Sequence, residues 1–157
     1  MGLLKSIEKL RLKPYDDQTG KEISSWVKGA TIGYGYLIDP GEWNQYKNGI
    51  NVDQAEALFM KDLLPYANAV RSKVKTNLSQ NQFDALVILT FNIGTGGFGR
   101  SSVLKLINNP SEKTGYPNLE AAWKVWNTSQ GGKVMQGLIN RRQAEWNIYS
   151  KNIYRKW

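Results

Sequence analysis

Apolar residues recur at three- and four-residue intervals at the start of the chain, at Leu3, Leu4, Ile7 and Leu10, which predicts a short helix over residues 3–9. Arg11 would stand inside that stripe if the helix continued, so the period changes. Leu10-Arg11-Leu12-Lys13 alternates every second residue, as a half-buried strand does. Residues 16–20 are turn-rich, and residues 26–32 supply a returning strand, which makes a hairpin or a small three-stranded sheet. Asn51 caps a helix with Val52, Ala55, Leu58 and Phe59 on one face, and with Asp53 and Glu56 near its positive end. Pro65 interrupts this pattern, so the helix is expected to bend or restart there on its way to Val74. Ser79-Gln80-Asn81-Gln82 is a capping box, and the helix it opens runs to Phe91 and is apolar enough to be buried. A glycine-rich loop over residues 92–99 follows. Residues 101–108 and 118–128 read as helices separated by proline turns, and residues 138–151 form the last helix after Gly131-Gly132.

This order of helix, small sheet and then successive helices assigns the chain to the α+β class. No repeat, low-complexity tract or linker divides its 157 residues. A single domain of that length buries about 70% of the surface its unfolded chain exposes. The chain has no cysteine and no histidine. The first absence excludes disulfides and thiolate metal sites; the second excludes Ser-His-Asp and Cys-His mechanisms and the commonest zinc ligand sets. Carboxylates, lysines and tyrosines remain as candidate acids and bases, with carboxylate chemistry leading. The balance of 21 Lys+Arg against 13 Asp+Glu, net +8, favours an acidic partner without saying which. A nucleic-acid binder would want clustered base-stacking aromatics or a recognition-helix pattern. Neither is evident, and no specific nucleic acid is expected. The first residues are too short of apolar character for a signal peptide, and no run reaches membrane-spanning length, so synthesis as a soluble cytosolic protein is expected. Met1-Gly2-Leu3-Leu4-Lys5-Ser6 fits a loose myristoylation pattern, but its leucines serve better on a helix face.

Candidate chemistry concentrates between Glu8 and Leu37. Glu8 falls at the end of the first helix beside apolar neighbours, where the negative end of the helix dipole and partial desolvation favour a protonated carboxyl. A solvated glutamate at a helix end is the plainer alternative. Asp16 and Asp17 are turn formers or reactive carboxylates. The glycines of Thr31-Ile-Gly-Tyr-Gly-Tyr-Leu let a ligand or backbone come close, and a tight corner explains them equally well. Trp123 and Trp126, three apart, read as core residues. The glycines after Asn92 follow a helix and lack the lysine of a phosphate loop.

The spacing of Glu8 and Asp17 with eight residues between, the Leu-Arg-Leu-Lys-x-Tyr run inside that interval, and Thr31-Ile-Gly-Tyr-Gly resemble the active-site lobe of the phage-type lysozymes, the endolysins of T-even and lambdoid phages in glycoside hydrolase family 24. Asn51-Val-Asp-Gln-Ala-Glu-Ala-Leu-Phe, Gln82-Phe-Asp-Ala-Leu with Phe91-Asn-Ile-Gly-Thr-Gly-Gly-Phe, and Gly137-Leu-Ile-Asn-Arg-Arg-Gln-Ala-Glu resemble that family's later blocks, so the likeness covers nearly the whole chain. It implies a lysozyme-like fold as a single domain, residues 1–157. A small antiparallel sheet lobe (10–50) would be joined by a long helix (51–75) to a mainly helical lobe (76–157, with the first helix 3–9).

The same resemblance implies a muramidase that cuts peptidoglycan between N-acetylmuramic acid and N-acetylglucosamine, without metal or cofactor. Glu8 would be the general acid, Asp17 the carboxylate that orients or deprotonates water, and Thr31 a hydroxyl that helps hold that water. Tyr34, Gly35 and Asn92 are the implied substrate contacts, and Arg141 or Arg142 the implied partner of Glu8. A monomer is expected, made in the host cytoplasm and acting on the wall or periplasm after a holin releases it. The basic segment 133–157 is either a solvated face or a contact for an anionic membrane or wall polymer. A non-catalytic peptidoglycan-binding module is the alternative function. Two features depart from the family. Thirteen residues, 18–30, separate Asp17 from Thr31 where the family has a much shorter interval, which leaves Asp16 as a minor alternative base. Tyr36 also stands where the family commonly has a histidine, and altered packing is the expected consequence.

Overall fold

In the computed structural model, which describes residues 2–157, the first apolar stripe forms α1 (Gly2–Ile7). The start of the lipidation pattern, Met1, lies outside the described residues. Leu4 is fully buried, and Glu8 follows directly on the last turn, its N–H donating to the Leu4 carbonyl at 3.2 Å. Three strands, β1 (Arg11–Asp16), β2 (Ala30–Gly33) and β3 (Tyr36–Leu37), form an antiparallel sheet in the order β1-β2-β3. Tyr15 lies opposite Thr31.

The returning strand is shorter than its sequence pattern predicts. Residues 26–29 turn instead of pairing, and β2 begins only after Gly29, whose φ of +104° a side-chain-bearing residue resists. The long interval before it is folded. Glu22 bridges Tyr15 on the edge of β1 away from β2, fixed by Asp16 N–H to the Lys21 carbonyl (2.9 Å) and Ile23 N–H to the Pro14 carbonyl (3.1 Å). Ile23 and Val27 then pack against a core of Ala30, Ile32, Tyr36, Ile38, Tyr46 and Leu58. The Trp26 indole donates to the Ile38 carbonyl at 2.8 Å. Apolar contacts on one side and a backbone bridge on the other thus offset the entropy of ordering the extra residues.

Tyr36 belongs to this core. Its ring meets Tyr46 edge-on, and its hydroxyl donates to Glu42 at 2.7 Å. Burial first, and then the Glu42 carboxylate, push that hydroxyl far above the usual tyrosine range. Asp62 nearby is also raised, by burial ahead of the opposing Lys61 and with a smaller contribution from Glu42. A raised carboxyl binds its proton more tightly in the folded state, so its stabilising contribution is complete below the unfolded pKa and is lost as pH climbs through the folded one. Asp62→Asn is therefore expected to raise Tm at pH 7, with the gain fading towards pH 3.5 (about the unfolded carboxylate value). Thermal melts across that range check it.

A 3-10 turn (Pro40–Glu42) and α2 (Trp43–Tyr46) lead into α3 (Val52–Lys73). Asn51 caps α3 reciprocally: its Oδ1 accepts from the Gln54 N–H at 2.8 Å, and its own N–H donates to Gln54 Oε1 at 2.9 Å. The helix does not restart at Pro65, which lies inside it. The chain divides there into two compact units, Met1–Leu64 and Pro65–Trp157, and α1 groups with the sheet in the first of them, not with the later helices. The Lys5–Glu56 ion pair at 2.6 Å joins α1 to α3 within that unit.

The second unit is helical. Ser79 caps α4 (Gln80–Ile93) as its capping box predicts, and the run from Ala85 to Thr90 is buried. The expected loop over residues 92–99 is mostly helix: Gly94, at φ +87°, breaks the chain once, and α5 (Thr95–Arg100) follows at once. Ser101 caps α6 (Ser102–Asn108), and Asn118 caps α7 (Leu119–Lys124), which ends earlier than expected. Thr128 bridges Val134 before α8 (Gln136–Lys151). Trp123 is fully buried and meets Trp146 and Tyr149 at ring separations of 5.7 and 5.2 Å, a core role as expected.

Candidate active site

One backbone oxygen organises the acidic end of the sheet. The Gly29 carbonyl accepts from the Asp17 N–H at 3.1 Å and from the Thr31 hydroxyl at 2.8 Å, so the long interval returns Thr31 to Asp17. With its proton committed to Gly29, the Thr31 oxygen can only accept a further hydrogen bond. The two aspartates divide their work. Asp16 Oδ1 accepts from the Gln18 N–H at 2.9 Å and fixes the turn, whereas the Asp17 side chain is exposed and accepts no hydrogen bond from the described residues. That division favours Asp17 over Asp16 as the reactive carboxylate.

The turn also explains why residue 29 is glycine. A Cβ there would lie 2.6 Å from Asp17 Oδ1 and 3.1 Å from Asp16 Oδ1. Gly29→Ala must therefore displace the Asp17 carboxylate as well as strain the backbone. Such a change is expected to cost about 1–3 kcal/mol of stability, and to lower turnover about 100-fold, the scale of a 1 Å misplacement. Steady-state rates of refolded variant, with its Tm measured alongside, separate the two effects.

Glu8 approaches from α1. Its carboxylate rests against the β2–β3 turn, where a Cβ on Gly35 would lie 3.2 Å from Glu8 Oε2. Gly35 (φ +89°) is thus both the tight corner and the close approach that its sequence allowed. Tyr15 connects the two acids electrostatically. Burial raises its hydroxyl pKa first, and the charges of Glu8 and Asp17 raise it further, against the Arg11 guanidinium stacked 4.3 Å from its ring. Glu8 and Asp17 therefore both act on one side chain of β1. Tyr34, in the same turn, packs between Phe59 (5.7 Å between rings) and the Lys5 ammonium (5.6 Å).

The remaining predicted residues lie in the helical unit. Arg142 is 1% exposed and its guanidinium is fully engaged: Nε donates to the Trp126 carbonyl at 2.7 Å, Nη1 to both Glu145 oxygens at 2.6 Å, and Nη2 to Asn92 Oδ1. Arg142 is therefore a structural anchor of the helical unit. Arg141 donates to Glu145 at 2.9 Å and to the Ile88 carbonyl at 3.0 Å. Asn92 is exposed, and because Arg142 holds its oxygen, its amide N–H groups are what it presents. The sequence reading missed Glu145, which is fully buried and also accepts from the Trp123 indole at 3.0 Å. The available signal was its spacing, three and four residues after two arginines and three before the buried Ile148.

Known proteins match across both units. The phage lysozyme family profile matches residues 5–145. The endolysin of Bacillus phage PZA is 38% identical over 99% of this chain and 56% of its own length. The chain thus spans little more than half of that relative. Among solved structures, an endolysin from the Escherichia coli O157:H7 phage FAHEc1 superposes with a TM-score of 0.74 at 30% identity, over 99% of this chain and 92% of its own. The muramidase domain of SpmX from Asticaccaulis excentricus does so at 0.68 and 33%, over 96% and 93%. The motifs at Glu8, Asp17 and Thr31, the lysozyme-like α+β fold and these matches over nearly all of this chain agree that the chain belongs to the phage lysozyme family.

Proposed function

We propose that the chain is a muramidase that cleaves the β-1,4 bond of peptidoglycan between N-acetylmuramic acid and N-acetylglucosamine, in the manner of an endolysin. The observation that carries this reading is the Gly29 carbonyl, which ties the Asp17 backbone and the Thr31 hydroxyl into one corner. A water in that corner donates one proton towards Asp17 and the other to the Thr31 oxygen, whose own proton is already committed. Its lone pair is then left for the anomeric carbon. Glu8, half-buried against Gly35, supplies the proton to the leaving oxygen. Proton donor and water-activating carboxylate are the two groups that inverting hydrolysis needs. The family match to endolysins and the muramidase domain supports the same substrate.

The test is release of new reducing ends from purified peptidoglycan. Wild type is expected to liberate them with N-acetylmuramic acid at the new ends, and Asp17→Asn to lose about 100-fold or more of the rate, the range of general acid–base catalysis. An intact glycan that is bound but not cut would instead identify a binding module.

A further inference from the structure

The last residues fold back along α8. Asn152 takes the left-handed conformation that ends the helix (φ 57°), the Ile153 N–H donates to the Asn147 carbonyl at 3.2 Å, and the Trp157 ring lies 4.8 Å from the Arg141 guanidinium. The Tyr154 hydroxyl donates to Asp84 on α4 at 2.7 Å; burial and that carboxylate push its pKa up to about 12, so this anchor stays protonated at ordinary pH. Between the tail and α8 lies a cavity of ≈ 260 Å³ lined by Asn140, Gln143, Asn147, Arg155, Lys156 and Trp157, among others. It shares no residue with the Glu8, Asp17 and Thr31 group.

The lining has a direction. Gln136 donates its amide to Asn140 Oδ1 at 2.8 Å, and Gln143 does the same to Asn147 Oδ1 at 2.9 Å. One lone pair of each of those oxygens is thus occupied while Asn140 and Asn147 keep amide hydrogens to donate, and Arg155 and Lys156 have only donors to offer. Glu145, the one acidic side chain of residues 133–157, is already held by Arg141 and Arg142, so no acidic side chain of this segment is left to pair with Arg155 and Lys156. The site therefore wants an acceptor-rich anion. Neutral amides and an indole beside two cations suit a flexible chain that alternates hydroxyls with phosphates. A bilayer would need an apolar face inserted into it, and here Tyr154, one of the exposed apolar residues of the tail, has its hydroxyl tied to Asp84.

We propose that this cavity binds an anionic polyhydroxylated wall polymer of the polyol-phosphate class, holding the enzyme on the wall apart from its catalytic carboxylates. The proposal rests on the peptidoglycan reading only for where such a ligand would be met, and its test reads binding and not hydrolysis. The intact chain is titrated calorimetrically with purified poly(glycerol phosphate), a single-stranded oligonucleotide, and vesicles of phosphatidylcholine with phosphatidylglycerol. Arg155→Gln with Lys156→Gln, and separately the charge-neutral Asn147→Leu, are expected to weaken polymer binding about ten-fold or more, as loss of charge-assisted and amide hydrogen bonds would. Lys133→Gln with Lys151→Gln removes the same charge outside the cavity and is expected to leave binding within about two-fold. Equal losses from the two charge pairs, no loss with a folded Asn147→Leu, or vesicles or oligonucleotide bound as tightly as the polymer would each overturn the proposal.

Discussion

Glu8→Gln is expected to abolish most hydrolysis, lowering the rate of reducing-end release about 10³-fold while the protein still binds peptidoglycan. The substitution keeps the shape of the side chain against Gly35, where Glu8 Oε2 would lie 3.2 Å from an added Cβ, and removes its charge and its ability to give a proton. Departure of a sugar alkoxide without that proton is slow. A loss of 10³-fold corresponds to about 4 kcal/mol of transition-state stabilisation, within the range that general acids supply. Selectivity provides the second readout. A glycoside with a good leaving group such as a nitrophenolate needs little protonation, so Glu8→Gln should lose far less on it than on peptidoglycan, whereas Asp17→Asn should lose heavily on both. Equal rates for wild type and Glu8→Gln on peptidoglycan would remove Glu8 from the mechanism. Equal losses on both substrates would mean that Glu8 acts other than as a proton donor.

Features that depend on neighbours in sequence were legible in it. The capping boxes at Asn51 and Ser79 placed two helix starts, because a cap is a contact across three residues. The end of α1, and with it the position of Glu8, followed from Arg11 spoiling an apolar stripe. The same local logic failed where tertiary contacts decide. Residues 26–29 have strand-like composition, yet Val27 serves the core and Trp26 bonds Ile38 from a turn, because Gly29 must reverse the chain to reach Asp17 and Thr31. Residues 95–100 carry three glycines and read as loop, but Gly97 and Phe98 are buried, a Cβ added at Gly97 would lie 3.5 Å from the Trp126 ring, and burial holds a helical turn that propensity alone would not. The candidate site divides in the same way. Glu8, Asp17 and Thr31 stand on a motif that can be read in sequence; the reason Asp17 and Thr31 converge, a shared carbonyl at Gly29, is a contact no spacing rule contains.

Glu145 was invisible for the same reason, and it carries the largest stability prediction. Glu145→Gln is expected to destabilise the fold by about 3–5 kcal/mol, the cost of leaving a buried charge without its partner. Glu145 is 0% exposed, and it receives Arg142, Arg141 and the Trp123 indole together. The amide keeps the volume and one acceptor, but it cannot neutralise an Arg142 guanidinium that is only 1% exposed. In a chain of this size the loss corresponds to a fall in Tm of roughly 10 °C. Trp123→Phe, which removes a neutral donor and leaves the charges paired, should cost nearer 1 kcal/mol for its hydrogen bond. The two variants thus separate charge compensation from hydrogen bonding. Replacing Arg142 and Glu145 together by Met and Leu should recover much of the loss, since apolar groups of similar volume avoid the desolvation of both ions. A Tm for Glu145→Gln within about 2 °C of wild type, less than 1 kcal/mol by the same conversion, would show that the cluster is not what holds α8 to α4 and α7.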